Sequence, residues 1–290
     1  MRRWLIGGLA LLLVGLGASW FVGSWLVRGH GGTVTPAVAP EKDIRLRASD
    51  CIVIAGTYRP GCSANAPAAL LLHPKGGGRA AMAGNAKWLS ARGFATLAID
   101  LRGHGESTIA DHSYGLHESR DAQAAFDWLK ARQRGAPVAL VGSSLGGAAA
   151  LLGDDGPIAA DALVLQAVFP TIHDAIFNRV AVRTGRVPAL ILEPLLSGQT
   201  WLRLGVSPSR LSPIDAVARY HGPLLLIGGE KDEATPPAEV RAMFARANPP
   251  KAIWFAPGLD HAATAGIETP AYRARLLAFL RRSIGAPRCR

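Results

Sequence analysis

Short apolar runs alternate with helical patterns along most of this chain. The runs Ala68 to Leu72, Phe94 to Ile99, Val138 to Val141, Ala162 to Ala167, Leu224 to Ile227 and Ala252 to Phe255 read as strands. Between them lie helix patterns. The clearest is Glu118 to Arg132, where Ala122, Ala125, Phe126 and Leu129 recur at i, i+3, i+4 and i+7. Strands alternating with helices in this way predict an α/β fold, a mostly parallel sheet with helices on both faces. One stretch breaks the rhythm. From Pro170 to Tyr220 about 51 residues separate consecutive strands, where one crossover helix suffices, so residues 170–220 are expected to form an inserted cap. Its helix-like pieces are Ile172 to Arg183 and Pro194 to Leu204. Of its apolar residues Ile191, Leu192, Leu195, Leu196 and Trp201, most are expected to pack the cap onto the sheet and the rest to face a pocket.

The amino-terminal end has a different pattern. Arg2-Arg3 precede an uncharged stretch from Trp4 to Val27, 24 residues that as a helix reach ~36 Å, enough to span a bilayer. A cleavable signal peptide usually has an apolar region of only ~7 to 15 residues, so an uncleaved anchor is the favoured reading of residues 1–27. The leading arginines place its start in the cytoplasm and the rest of the chain outside. The protein would be secreted if the segment were cleaved. Gly15, Ser19 and Gly23 fall on one helix face and suit close helix approach, but are read more simply as small residues scattered through a lone anchor. Residues 28–43, with Gly29, Gly31, Gly32, Pro36 and Pro40, read as a linker. The folded domain is expected over 44–284, with a tail at 285–290.

Composition narrows the function classes. The 290 residues and 49% hydrophobic content suit one domain with a short appendage. The net charge of +11 is spread along the chain without a dense basic block, which argues against nucleic acid and is compatible with attraction to anionic headgroups. Cys51, Cys62 and Cys289 are too few and scattered for a metal site. An extended run from Ile52 to Tyr58 argues against a Cys51–Cys62 bridge, and pairing of either with Cys289 stays open.

The chemistry sits after the third central strand. Gly142-Ser143-Ser144-Leu145-Gly146 matches Gly-x-Ser-x-Gly, a serine on a sharp strand-to-helix turn, with Ser143 pointing away. A serine hydroxyl needs an adjacent base, and the base an acid to hold its tautomer. In the order serine, acid, histidine, the loop after Leu224 to Ile227 offers Asp232, with Glu230 as substitute, and the loop after Ala252 to Phe255 offers His261. His73, His104, His112, His117, His173 and His221 lack a position after the acid. A tetrahedral intermediate needs two donors. Leu145 N–H is the first, and the second is expected from Lys75, with Gly76 as substitute.

These motifs resemble the α/β-hydrolase superfamily, in its esterase, lipase and serine-aminopeptidase-like branch with a helical cap, over about residues 44 to 284. Asp100-Leu101-Arg102-Gly103-His104-Gly105-Glu106-Ser107 is similar to that family's D-x-R-G-x-G-x-S loop, which shapes a wall of the site. His73-Pro74 departs from the family's usual His-Gly. The resemblance implies a serine hydrolase acting on small-molecule carboxylic esters with no metal or cofactor. Thioester hydrolysis, an aminopeptidase-like activity drawing on Asp174, Glu193 or Asp215 to hold an amine, and a catalytically silent binding module are the alternatives.

Overall fold

The computed structural model describes residues 2–289; Met1 and Arg290, the first residue of the expected anchor and the last of the expected tail, lie outside the described residues. Among the described residues, eight strands form one sheet: β1 Lys42–Arg47, β2 Val53–Arg59, β3 Ala68–Leu72, β4 Ala95–Ile99, β5 Val138–Ser143, β6 Ala162–Gln166, β7 Leu224–Gly229 and β8 Lys251–Ala256. Their order is β1-β2-β4-β3-β5-β6-β7-β8, and only β2 runs against the rest. This is the α/β-hydrolase fold.

The helices are α1 Arg2–Val27, α2 Ala83–Ser90, α3 Glu118–Arg132, α4 Leu145–Leu151, α5 Ile172–Thr184, α6 Arg186–Ser197, α7 Thr200–Leu204, α8 Pro213–Val217, α9 Pro237–Arg246, α10 His261–Ala265 and α11 Pro270–Ile284. The central strands are buried on both faces, so they read as unbroken apolar runs rather than alternations. Their side chains still divide by the pleat. Leu70, Leu72, Leu140 and Leu165 face Phe126 and Leu129 of α3 and the alanines of α4. Leu71, Val141, Val164 and Ile227 face Leu89 of α2 and Tyr272 and Leu276 of α11.

The cap differs from expectation in two respects. Its second helix begins at Arg186, with Pro194 inside it, rather than at Pro194. Its apolar side chains do not mainly pack the cap onto the sheet: Leu190, Ile191, Leu192, Leu195, Trp201 and Leu202 are exposed. The inward face of α6 is instead made by Ala189, Glu193, Leu196 and Ser197, spaced at helical intervals.

α1 contains one segment, Ile6–Val27, long and apolar enough to cross a membrane. Ser19 and Gly23 are not idle small residues, because the cap comes up against them. Gln199 Nε2 donates to Ser19 O at 2.9 Å, and a Cβ on Gly23 would stand 2.0 Å from Gln199 Oε1. The segment after α1 is likewise no free tether. His30 N donates to Gly103 O and Gly32 N to Gly105 O, at 2.8 and 2.7 Å, and a Cβ on Gly29 would lie 2.1 Å from Ala110 O. Glycine there lets two backbones run side by side. The pairing the sequence left open is Cys62–Cys289, with Cα atoms 5.2 Å apart, which ties the loop after β2 to the end of the chain; Cys51 is free and exposed.

Candidate active site

β5 ends in a turn at which Ser144 adopts φ 46°, ψ −107°, a conformation costly for any residue with a side chain. The glycines around it are required by close approach. A Cβ on Gly142 would meet Gly146 O at 2.7 Å, and one on Gly146 would meet Leu72 O at 2.5 Å. That second contact brings the serine turn against the end of β3, where the Leu72 to Gly78 loop begins. Ser143 points away as expected, and its Oγ donates to Ala265 O at 2.7 Å, holding α10 in place.

His261 opens α10, whose amino terminus is capped by the Asp260 carboxylate accepting from Ala263 N at 2.9 Å. His261 Nε2 lies 3.3 Å from Ser144 Oγ, and Nδ1 lies 2.8 Å from Asp232 Oδ2. Asp232 is buried in the loop after β7. Its Oδ1 accepts from Ala234 N and Thr235 N at 2.9 and 2.7 Å, which fixes the carboxylate and keeps it an acceptor. Nδ1 therefore carries the His261 proton, and the Nε2 lone pair faces the serine. Glu230, the substitute acid, instead accepts from Gly258 N at 3.1 Å.

The two oxyanion candidates behave alike. Among the described residues neither Leu145 N–H nor Lys75 N–H donates to any group, whereas Gly76 N–H is taken by His104 Nε2 at 3.2 Å. Lys75 is exposed at the edge of this loop. Its Nζ donates to Leu26 O at the end of α1, and desolvation of the ammonium pulls its pKa down to about 8.

Three histidines set aside in the sequence support this loop. Leu101 N–H donates to His73 Nε2 at 3.0 Å, so His73 Nδ1–H donates to Pro74 O at 2.8 Å. His104 meets His73 edge-on at 4.6 Å between ring centres and stacks on His112 at 4.4 Å. The proline that departs from the family pattern thus has its carbonyl pinned by the preceding histidine. Burial, reinforced by the neighbouring ring of His104, pulls His73 and His112 down to about 3, far below the ordinary histidine value of 6.5. The unfolded chain takes up these protons below about pH 6.5, and the native state does so only near 3. Their contribution to stability is therefore complete above pH 6.5 and lost as pH falls through that window. Urea midpoints are expected to drop between pH 7 and 5, and His112→Phe to drop less. Equal losses in the two proteins would refute this assignment.

Arg79 and Asp100 form the other support. Asp100, fully buried, accepts from Arg79 N at 2.6 Å, from the Arg79 guanidinium and from Glu106 N at 3.0 Å. Arg102 pairs with Asp121 at 2.6 Å and with Asp50 at 2.6 Å. These bonds hold the Asp100 to Ser107 loop that carries His104.

One residue of the site has no mark in the sequence. Arg179 of α5 donates from Nη2 to His261 Nε2 at 3.1 Å and from Nη1 to Ala175 O at 2.9 Å, and among the described residues no carboxylate lies within ion-pair distance of it. Arg179 and Ser144 thus compete for one lone pair.

Comparison with known proteins agrees with this architecture. The profile of the alpha/beta hydrolase family matches residues 69–275. An uncharacterized protein of Mycobacterium tuberculosis is 31% identical over 224 residues, covering 76% of this chain and 72% of that protein. The lysophosphatidylserine lipase ABHD12 of Xenopus tropicalis is 28% identical over 190 residues, 62% of this chain; the match spans only 46% of its own length. Among solved structures, an esterase of Pyrococcus furiosus superposes with a TM-score of 0.70 at 20% identity, over 89% of this chain and 99% of that one. With the family profile matched across the sheet from β3 into α11, this chain belongs to the alpha/beta hydrolase family.

Proposed function

We propose that this protein is a serine hydrolase that cleaves carboxylic esters of an amphiphilic substrate at its membrane surface. The alignment of Ser144 Oγ, His261 Nε2 and Asp232 on three separate loops carries the reading. Ser144 attacks the ester carbonyl as His261 Nε2 takes its proton, and Asp232 holds the imidazole tautomer. Leu145 and Lys75 N–H groups receive the oxyanion. The alcohol leaves with the proton from His261, and water then hydrolyses the acyl-serine by the same route. No step calls for a metal or organic cofactor. α1 serves as an uncleaved anchor with the domain outside the cytoplasm. The Cys62–Cys289 bridge suits such an oxidising compartment. A fluorophosphonate offered to the full-length protein in detergent is expected to add one phosphonyl group, read by intact mass. A folded protein that takes no label overturns the proposal and favours the silent binding module.

The cap favours an ester over an amine substrate. The acids an aminopeptidase-like enzyme would need are engaged elsewhere: Asp174 with Thr171, Glu193 with His173, and Asp215 with Ser212 and Arg246. The group turned to His261 is the cation Arg179, which repels an amine and attracts an anion. A phosphate or carboxylate beside the scissile ester draws the guanidinium off His261 Nε2 and leaves that lone pair to Ser144. A relative that acts on lysophosphatidylserine fits this chemistry. Arg179→Gln is expected to lower kcat/KM for an anionic lysophospholipid by roughly 10- to 100-fold, the worth of a charge-assisted hydrogen bond. Turnover of a neutral monoacylglycerol with the same acyl chain should hold or rise. An equal fall for both would remove Arg179 from substrate recognition, and turnover of the matching thioester or aminoacyl amide in preference would replace the ester reading.

A further inference from the structure

α6 presents its apolar side outward. Val187, Leu190, Ile191 and Leu195 recur along one face at 72, 66, 64 and 37% exposure, continued by Trp201 and Leu202 on α7 at 60 and 79%. A contiguous apolar face of this kind on a folded domain marks a surface covered by something apolar. Its neighbour identifies the cover. Ser19 Oγ donates to Leu195 O at 3.1 Å, and Arg203 Nη2 donates to Trp20 O and Ser24 Oγ at 2.9 and 2.8 Å while its guanidinium lies 3.8 Å from the Trp20 ring centre. Ser19 lies eight residues before the end of α1 at Val27, or ~12 Å along the helix axis. A bilayer hydrocarbon core is ~30 Å thick, ~15 Å per leaflet. A helix that spans the membrane at Ile6–Val27 therefore carries the cap contact at acyl-chain depth.

We propose that the cap is a second membrane element, with α6 and α7 seated in the leaflet nearest the domain and Val187, Leu190, Ile191, Leu195, Trp201 and Leu202 among the acyl chains. Two polar side chains at this level, Gln199 and Arg203, bond to α1 and to each other, the kind of pairing that burial in lipid demands, while Thr200 Oγ1 is buried beside the cavity between α1 and the cap without a partner among the described residues. Arg183 and Arg186 flank the α5–α6 tip, where long cationic side chains reach headgroup phosphates. Between α1 and the cap lies a cavity of about 290 Å³ lined by Trp20, Leu26, Val27, Tyr114, Ile176 and Leu196. A second, of about 250 Å³, shares Leu26 and His112 with it and runs along Lys75, Gly76 and Gly77. The inserted cap opens the first cavity to the bilayer rather than to water, so an acyl chain enters sideways from the leaflet. The insertion rests on α1 being retained as a membrane span; the entry route also rests on the ester-hydrolase reading.

Full-length protein with Cys51→Ser, its disulfide intact, is placed in phosphatidylcholine nanodiscs with an environment-sensitive fluorophore at Ile191→Cys, Leu202→Cys or, as a reference on the opposite side, Ala131→Cys at the end of α3. Doxyl-labelled lipids are expected to quench the probes at 191 and 202 and not the probe at 131. Probes at 191 and 202 that match 131 overturn the proposal, whether the face is then found in water or against a second copy of the chain. In the same discs, Ile191→Asp with Leu202→Asp is expected to raise KM for a long-chain ester in the bilayer by roughly tenfold or more, with kcat/KM for a short soluble ester within a factor of about two. A parallel fall for both esters makes the face structural and overturns the entry route. Absence of ester turnover in the unaltered protein, with quenching intact, defeats the hydrolase reading and the entry route but not the insertion.

Discussion

Ser144→Ala is expected to lower kcat for the ester substrate by roughly 10⁵- to 10⁶-fold and to remove the phosphonyl adduct entirely, while the melting temperature holds or rises. The size follows from the proposed roles of the three groups. Without the hydroxyl, His261 has no proton to take, and only the oxyanion donors and substrate binding still act. His261→Ala should cost a similar amount, and the Ser144→Ala, His261→Ala double variant no more than either alone, because the groups act as a unit. Asp232→Asn should be milder, at roughly 10⁴-fold, since it disturbs the imidazole tautomer and leaves the serine in place. A stability gain in Ser144→Ala has its own physical source, as Oγ competes with Arg179 for one acceptor, whereas the φ 46° turn stays as strained with alanine as with serine. Labelling that persists in Ser144→Ala would transfer the nucleophile to another residue and sink the mechanism.

Asp100→Ala is expected to destabilise the detergent-solubilised protein by about 3–5 kcal/mol, the usual cost of removing one partner from a buried pair. Asp100 is fully buried, and its removal strands the guanidinium of Arg79, itself 3% exposed, and two backbone N–H groups. Arg79 keeps Glu106 at 2.7 Å and Thr57 at 3.1 Å, so the loss is partial. Arg79→Met should cost a similar amount, and the double variant less than the sum of the two, since each change removes the same interaction. The loss also reaches the site, because the loop these residues hold carries His104, the acceptor for Gly76 N–H. Urea unfolding followed by tryptophan fluorescence reads the energies. A loss below about 1 kcal/mol for either single variant would place the pair outside the network that holds this loop.

Much of the candidate site was legible because each of its three residues sits at the carboxyl end of a parallel strand, where local pattern marks both the strand and the loop after it. The run ending at Val141 places Ser144, the run ending at Ile227 places Asp232, and the run ending at Phe255 places His261. In the structure these three side chains stand within hydrogen-bonding reach. The cap was legible as an interruption of rhythm, but its orientation was not. Ile191 and Leu195 look the same in sequence whether they face a sheet or a membrane, because apolarity records only that water is excluded. Pro194 misplaced the start of α6, since a proline that commonly opens a helix here sits inside one.

The sequence by itself determined the alternation of strands and helices, the strained serine turn with its glycines, the order of the candidate acid and base, and an apolar segment long enough for a bilayer. Each of these is written in neighbours along the chain. The tertiary structure alone decided the groups that meet across long separations: Arg179 on His261, Lys75 on the end of α1, His104 edge-on to His73 and stacked on His112, Cys62 on Cys289, and the cap laid against Ser19 and Gly23. No periodicity links such pairs, because what selects them is the packing of the whole sheet and cap, and a lone arginine or lysine carries no local sign of the partner it will find.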